Sequence, residues 1–353
     1  MKKIYLLLFA PFILLFFACA TGDESTSVPS DTLATVVERG ILHCGIKDSQ
    51  PGFGYLQPDG TYAGQDVEYC KAVAAAVLGD ANKVKYVPAT AKARFEMLKA
   101  GEIDVLIRTT TWTASRDASL KSSFAVTTFY DGQGMMVKSD SGITSMKDLT
   151  GATICVTTGT TTEQNLDDWF TERNLAYQQL AVENDAGSQA AFIAGRCDGW
   201  TGDKSNLAGQ RSKYPSDAGG SDALTILPIT LSKEPLGPVT RDNDSKWFDV
   251  VNWVVIGTIA AEEMGISSQN LQAHIANPKN KNQARLLGVG WDGGEVTDLG
   301  LGISADFMQK VLYQVGNYGE IYARTIEPIG IPRSGSLNAL WTQGGIIYAP
   351  PMR

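Results

Sequence analysis

GEIDVLIRTTTWTASRD, residues 101–117, joins two kinds of sequence at one point. Gly101 closes KARFEMLKAG (92–101), whose apolar residues recur at helical spacing, and EIDVLI (102–107) then reads as a buried strand. Beyond Ile107 the apolar run stops, and Thr109, Thr110, Thr111, Thr113, Ser115 and Arg116 follow. Hydroxyls and a fixed cation at the end of a strand fit either a solvated loop or a row of donors aimed at a small anion. Upstream, KVKYVPA (83–89) reads as a strand, GQDVEYCKAVAAAVLG (64–79) as a helix stopped by Gly79, and GILHCGI (40–46) as a strand. Strand and helix in alternation imply a parallel sheet with helices on its faces.

The order restarts downstream. SMKDLTG (145–151) leads into ATICVTT (152–158), a strand; TTEQNLDDWFTERN (161–174) is a helix and AYQQLAV (176–182) a strand. GSQAAFIAGR (187–196) is a helix closed by glycine and CDGWTG (197–202) a strand. The two segments share an architecture, not a repeated sequence. FYDGQGMMV (129–137) and KEPLGPVT (233–240) lie between them and read as two extended crossings, a hinge around a cleft. In open α/β sheets ligands bind beyond the carboxyl ends of the strands, where residues 109–116 and TGTTTE (158–163) fall.

The ends and the composition narrow the function class. MKKIYLLLFAPFILLFFACA has two lysines, an apolar run and a small-residue finish, the layout of a signal peptide over 1–20. The run is shorter than the ~20 residues of a spanning helix. Ala18-Cys19-Ala20 fits cleavage after Ala20, while Phe16-Phe17-Ala18-Cys19 is a poor lipobox that leaves lipidation of Cys19 as the alternative. TGDESTSVPS (21–30) reads as a flexible tether. A net charge of −8 argues against nucleic acid and anionic membrane as partners. Cys44, Cys70, Cys155 and Cys197 form an even set in an exported chain, with three possible pairings. Pairing Cys44 with Cys70 and Cys155 with Cys197 keeps each bridge inside one strand–helix segment and leaves the hinge free. With only His43 and His274, and no CxxC, neither a zinc site nor a Cys/His nucleophile is expected, and no cofactor is called for.

Several residues carry chemistry. Thr109 and Thr111 are two apart, so in extended backbone they face one side. Arg116 can grip a carboxylate with two parallel hydrogen bonds. Thr160 with Glu163 fits a capping box, and a helix start of this kind offers N–H groups to a carboxylate. Asp203 follows a predicted strand, where it either caps a turn or holds an ammonium.

Together, DVLIRTTTWTASRD, FAVTTFYDGQGMMV, TICVTTGTTTE, GRCDGWTGDKSN and LSKEPLGP resemble the polar amino acid–binding proteins of ABC importers. The general L-amino acid–binding subgroup is the nearest pattern, extending through WFDVVNWVVIGTIAAEEMGI, KVLYQVGNYGEIYAR and SLNALWTQGGIIYAPPMR. The resemblance implies the two-lobe α/β architecture of type II periplasmic binding proteins, each lobe a mainly parallel sheet flanked by helices, with two hinge crossovers. Lobe 1 would hold 31–131 and 236–353, and lobe 2 132–235. The implied clamp for a ligand α-carboxylate falls on Thr109, Thr111 and Arg116, completed by Gly159, Thr160 and Thr161; the implied ammonium partner is Asp203.

The chain departs from the family pattern at Gln50, where many relatives carry an aromatic wall, and at Lys47, where an acidic or amide residue is common. Together with a small Ala91, these changes imply a roomy pocket for several polar or acidic L-amino acids. Lys47 reads equally well as an exposed strand-end lysine. The implied protein is a periplasmic monomer that delivers its ligand to membrane permease subunits. An enzyme on the same fold, such as a dehydratase, is the alternative, but it would need a titratable group poised against substrate.

Overall fold

The computed structural model describes residues 31–352. The expected signal peptide (1–20), tether (21–30) and Cys19 lie outside the described residues. Helix α1 (Thr32–Arg39) starts on Asp31, whose carboxylate accepts the Ala34 N–H, and leads into strand β1 (Leu42–Ile46). Short strands β2 (Ser49–Gln50), β3 (Gly54–Leu56) and β4 (Tyr62–Ala63) form a small antiparallel sheet before α2 (Gln65–Leu78). Gly64 caps α2 at φ 127°, and a Cβ there would lie 2.0 Å from the Phe53 carbonyl oxygen. No other residue fits that close approach. Residues 72–76 of α2, four alanines and Val73, are buried, and their small side chains let neighbouring helices approach closely.

Strand β5 (Val84–Pro88), helix α3 (Arg94–Lys99), β6 (Val105–Leu106) and β7 (Ser122–Phe124) complete the first half. Strand β8 (Phe129–Lys138) then crosses to the second, made of β9 (Thr153–Thr157), α4 (Thr161–Thr171), β10 (Gln178–Val182), α5 (Asp185–Ile193), β11 (Gly199–Asp203), α6 (Lys204–Ser212) and β12 (Leu224–Ile226). β13 (Lys233–Leu236) crosses back to β14 (Val239–Arg241). The 19-residue helix α7 (Ser245–Glu263) and helices α8 (Leu271–Ala276), α9 (Lys281–Leu287), α10 (Phe307–Gln314) and α11 (Tyr318–Thr325) follow.

The two lobes are built alike. The sheets run β5-β1-β6-β14-β7 and β10-β9-β11-β8-β12, so in each the first strand of the strand–helix pattern lies between the second and the third. Those three strands are parallel, as expected. The strands contributed by the crossings, β8 and β14, join antiparallel, so each sheet is mixed rather than mainly parallel. They arrive without a crossover helix, which a parallel neighbour would need. β6 is shorter than the apolar run EIDVLI, because the Asp104 carboxylate itself takes the His43 N–H at 2.7 Å beside the pairing of Cys44 with Val105.

The hinge is a two-stranded ladder. β8 and β13 pair antiparallel in the register Phe129↔Leu236, Tyr130↔Pro235, Asp131↔Glu234 and Gly132↔Lys233. Phe129 and Leu236 are buried in the large core of lobe 1, whereas Met135, Met136 and Val137 further along β8 belong to the two cores of lobe 2. Burial at both ends of one strand ties each lobe to the ladder.

Both disulfides pair as anticipated, Cys44 with Cys70 and Cys155 with Cys197. Each stays within one lobe. Neither pair lines the cleft described below, so replacing Cys155 and Cys197 together by alanine should cost about 2–4 kcal/mol of stability and leave ligand affinity within threefold. Denaturant unfolding and calorimetry on the same double variant check both halves of that expectation.

Candidate functional site: a charged interlobe cavity

The segment after β6 does not stay extended. Thr109 has φ 40°, held there by Asp66 at the start of α2, whose carboxylate accepts the Thr109 N–H at 2.8 Å. The turn still brings Thr109 and Thr111 to the same cavity, although not through the extended alternation expected from their spacing. Arg116 sits in the single π-helical turn Ser115–Ser119, donates from Nη1 to the Thr111 carbonyl at 2.9 Å and stacks toward Phe95. It is 7% exposed.

From the facing lobe comes the start of α4. Thr160 caps it, accepting the Glu163 N–H at 3.1 Å and donating to the Thr157 carbonyl at 2.7 Å. The Glu163 carboxylate reaches back to the Gly159 N–H at 2.8 Å rather than to that of Thr160, so the capping box is shifted by one residue. Gly159 therefore lies outside the cavity lining, its N–H occupied. Its role is the positive φ of 74° and a close pass, since a Cβ there would meet the Lys92 backbone of lobe 1 at 3.2 Å. Thr161 donates to Glu234 at 2.8 Å and lies 3.4 Å from the Thr111 hydroxyl across the cleft.

Asp203 ends β11 and lines the same cavity, and its side chain caps nothing. It is not alone. Asp131 and Glu234 face each other across the hinge ladder, and Asp203 pairs with Gln133, two residues beyond Asp131. Glu234 accepts from Thr161, Asn165 and Ser232; Asp131 accepts the Gly132 and Ser205 N–H groups. Burial first, and the neighbouring Glu234 as well, push the Asp131 carboxyl up to about 6. Burial and then the charges of Asp131 and Glu234 push Asp203 well above the usual carboxylate range.

Cations line the rest of the cavity. Lys47 is not an exposed strand end: it forms a 2.6 Å ion pair with Asp185 of the other lobe, which also accepts from Asn206. Arg94 and Arg108, both buried, complete the lining together with Thr157, Thr162, Thr201 and Gly202. Gln50 is buried behind this wall rather than in it, accepting from Lys47 and Thr109 and reaching Ser205 across the cleft at 3.5 Å. The roominess expected from Gln50 and Ala91 is not found, because the long arms of Lys47, Arg94 and Arg108 take up the space. About 40 Å³ remains for the centres of water-sized spheres, room for a few waters. Neither histidine lines the cavity.

Sequence reading placed Thr109, Thr111, Arg116, Thr160, Thr161 and Asp203 together, and they do share one cavity. It missed Arg94, Arg108, Asp131, Asp185 and Glu234. Arg108 stood immediately before Thr109, and the two missed hinge acids stood in the two predicted crossings. Setting those crossings antiparallel would have paired them.

Residues 42–270 match the bacterial extracellular solute-binding proteins, family 3. The glutamate/glutamine/aspartate/asparagine-binding protein BztA of Rhodobacter capsulatus is 47% identical over 95% of this chain and 96% of its own. The general L-amino acid-binding periplasmic protein AapJ of Rhizobium johnstonii is 46% identical over the same shares. Among solved structures, an ABC transporter/periplasmic binding protein from Brucella ovis with glutathione bound is 43% identical, with a TM-score of 0.85 over 92% of this chain and 99% of its own. The chain belongs to the family 3 solute-binding proteins, and is a binding protein rather than an enzyme.

Asp66 offers a direct check of the site's electrostatics. Burial pushes its carboxyl up to about 6 against 3.8 in an unfolded chain, partly opposed by the Thr109 N–H and by Arg108. The folded state therefore keeps its proton to higher pH than the unfolded state does. The corresponding stability is present below about pH 4 and is lost as pH rises to about 6, on the order of 2–3 kcal/mol. Denaturant unfolding between pH 4 and 7 should show this slope in the ligand-free protein and a shallower one in Asp66→Asn.

Proposed function

We propose that this family 3 protein is the periplasmic, substrate-binding component of an ABC importer, that it closes on an L-amino acid, and that it hands the ligand to membrane permease subunits. On this reading residues 1–20 direct export, with lipidation of Cys19 as the alternative processing. The lobes are 31–131 with 236–353, and 132–235, divided within the hinge ladder. The observation that carries the proposal is one cavity holding a cation clamp and an uncapped carboxylate on opposite lobes: Arg116 with Thr109 and Thr111, and Asp203. That is the complement of the two groups every amino acid carries on its α-carbon, a carboxylate and an ammonium. The amino acid–binding relatives that match nearly the whole chain support the same reading.

The roles follow from the chemistry. Thr109, Thr111 and Arg116 hold the α-carboxylate, and Thr160 and Thr161 complete the clamp from the other lobe. Gly159 shapes the turn before α4, and Gln50 supports Thr109 from behind. Asp203 takes the α-ammonium, with Asp131 and Glu234 adding negative potential from the hinge. A ligand touching both lobes favours the closed arrangement by the difference of its contacts in the two states. Several polar and acidic amino acids share these common groups and are all candidates.

Arg116→Ala should weaken every amino acid alike, by about 2–5 kcal/mol, because it removes the charge-assisted partner of the group they share. Calorimetry showing near-normal affinity in that variant would remove Arg116 from the clamp. A second expectation concerns protons. An ammonium arriving beside Asp131 and Asp203 favours their charged forms, so their raised pKa values fall on binding and protons are released. Affinity should rise with pH from about 5 to 7. Titrations in buffers of different ionisation enthalpy measure the release directly; a pH-independent affinity over that range contradicts the assignment.

A further inference from the structure

The hinge strand β8 is held by a residue that takes no part in the cavity. The Asn338 side chain accepts the Tyr130 N–H at 2.7 Å and donates to the Tyr130 carbonyl at 3.0 Å. One amide thereby satisfies both backbone groups of a residue 208 positions away, as a neighbouring strand would. Across the ladder Tyr130 faces Pro235, which has no N–H to give. Asn338 is 3% exposed and does not line the cavity.

The loop that carries Asn338 is itself braced. Arg333 forks onto Glu262 of α7, donates Nε to the Asn338 carbonyl at 2.9 Å and stacks on the Tyr318 ring. The Ser336 hydroxyl accepts the Asn338 N–H and donates to the Arg333 carbonyl. Leu340, Ile347 and Met352 bury the rest of the segment in the core of lobe 1. All of it lies beyond residues 42–270, the part that matches the family.

Other contacts sort the ladder rung by rung. The Thr128 carbonyl accepts from Gln65 and Tyr318, and the Pro235 carbonyl accepts the Trp112 N–H, all within lobe 1. The next rung is held from the other side: Asp131 accepts the Ser205 N–H, and Glu234 accepts from Thr161 and Asn165. The rung Tyr130–Pro235 thus belongs to lobe 1 and the rung Asp131–Glu234 to lobe 2. On β8 Asn338 makes that assignment, since among the described residues no other side chain bonds the Tyr130 backbone.

We infer that Asn338 is a positioning residue for ligand binding, through which the C-terminal segment fixes where the hinge bends. With Tyr130 pinned to lobe 1, bending is confined to the Tyr130–Asp131 and Glu234–Pro235 peptides. That pivot lies one residue ahead of the lobe boundaries at 131–132 and 235–236. A pivot of one peptide per strand leaves the ligand-free lobes few relative orientations. Without Asn338, Tyr130 regains backbone freedom, and the ensemble widens toward orientations that cannot close on a ligand. Apparent affinity then falls with the competent fraction, equally for every ligand, because Asn338 lies outside the cavity. The affinity effect rests on the closing reading proposed above; the width of the ligand-free ensemble rests on the hinge alone.

The test compares the wild type with Asn338→Ala, Asn338→Asp and Leu287→Ala, the last a buried position of α9 that serves as a stability control. Spin labels on Lys85→Cys and Asp168→Cys, one exposed site in each lobe, report the interlobe distance distribution by double electron–electron resonance. Ligand-free Asn338→Ala should give a broader distribution than the wild type. Leu287→Ala should keep the wild-type width despite a lower melting temperature. Calorimetry with L-glutamate, L-glutamine and L-alanine should show Asn338→Ala weakened for each by one common factor, about three- to tenfold. A wild-type width in Asn338→Ala overturns the inference, and so does equal broadening in Leu287→Ala, which would make the effect one of stability. Weakening confined to one ligand overturns it too, by placing Asn338 in specificity. Should no amino acid bind the wild type, the amino acid reading fails by itself, and the ligand-free distances still decide the hinge. Asn338→Asp keeps an acceptor for the Tyr130 N–H but loses the donor to its carbonyl. It should broaden the distribution as well, and it decides the matter if Asn338→Ala fails to fold.

Discussion

Two carboxylates facing each other across the hinge set the terms for the rest of this molecule. The register of β8 and β13 puts Asp131 directly opposite Glu234, and like charges in that position oppose strand pairing. Asp203 approaches from β11, which pairs with the same strand β8 that carries Asp131. The arrangement holds because each acid is supplied separately: Glu234 by two hydroxyls and an amide, Asp131 by two backbone N–H groups. Asp203 has no such supply, and its charge is the one most opposed by its neighbours. A cation beside it relieves all three, which is why the proposed ammonium position and the hinge are the same place.

The ladder can bear this strain because its ends are anchored by burial. Phe129 stacks edge-on against Phe53 and belongs to the lobe 1 core, while Met135 to Val137 are sealed in lobe 2. Between these ends lie Asp131 and Gln133, which are held by hydrogen bonds rather than by apolar packing. The apolar terms thus hold each lobe rigid and leave the polar terms to act between them.

Contacts that span the cleft are individually modest. Lys47 with Asp185, Thr111 with Thr161, Gln50 with Ser205, and Gln210 donating to the Ser49 carbonyl at 2.7 Å make up a polar seam. Most are neutral hydrogen bonds, worth about 1 kcal/mol each once water competes. An interface of this kind does not lock by itself. On the proposed reading the ligand adds the missing contacts, and closure follows binding in proportion to them.

The local pattern was legible in the sequence because it depends on near neighbours. Apolar periodicity and glycine stops such as Gly79 marked α2, and the repeated strand–helix order foretold two like sheets and disulfides each confined to one lobe. Thr109, Thr111, Arg116, Thr160, Thr161 and Asp203 were readable because strand ends and helix starts are where anion and cation sites form. Tertiary structure alone decided the rest. Lys47 and Asp185 are 138 positions apart in sequence and meet only across the closed cleft. Asp131 and Glu234 acquire their mutual repulsion only through the register of the hinge. Arg94 looked like one more polar residue on a short helix, and nothing local reveals that its guanidinium is buried without a partner. Hydrogen bonds and charges act through space, so the chain order that specifies a helix cannot say which charge will face which.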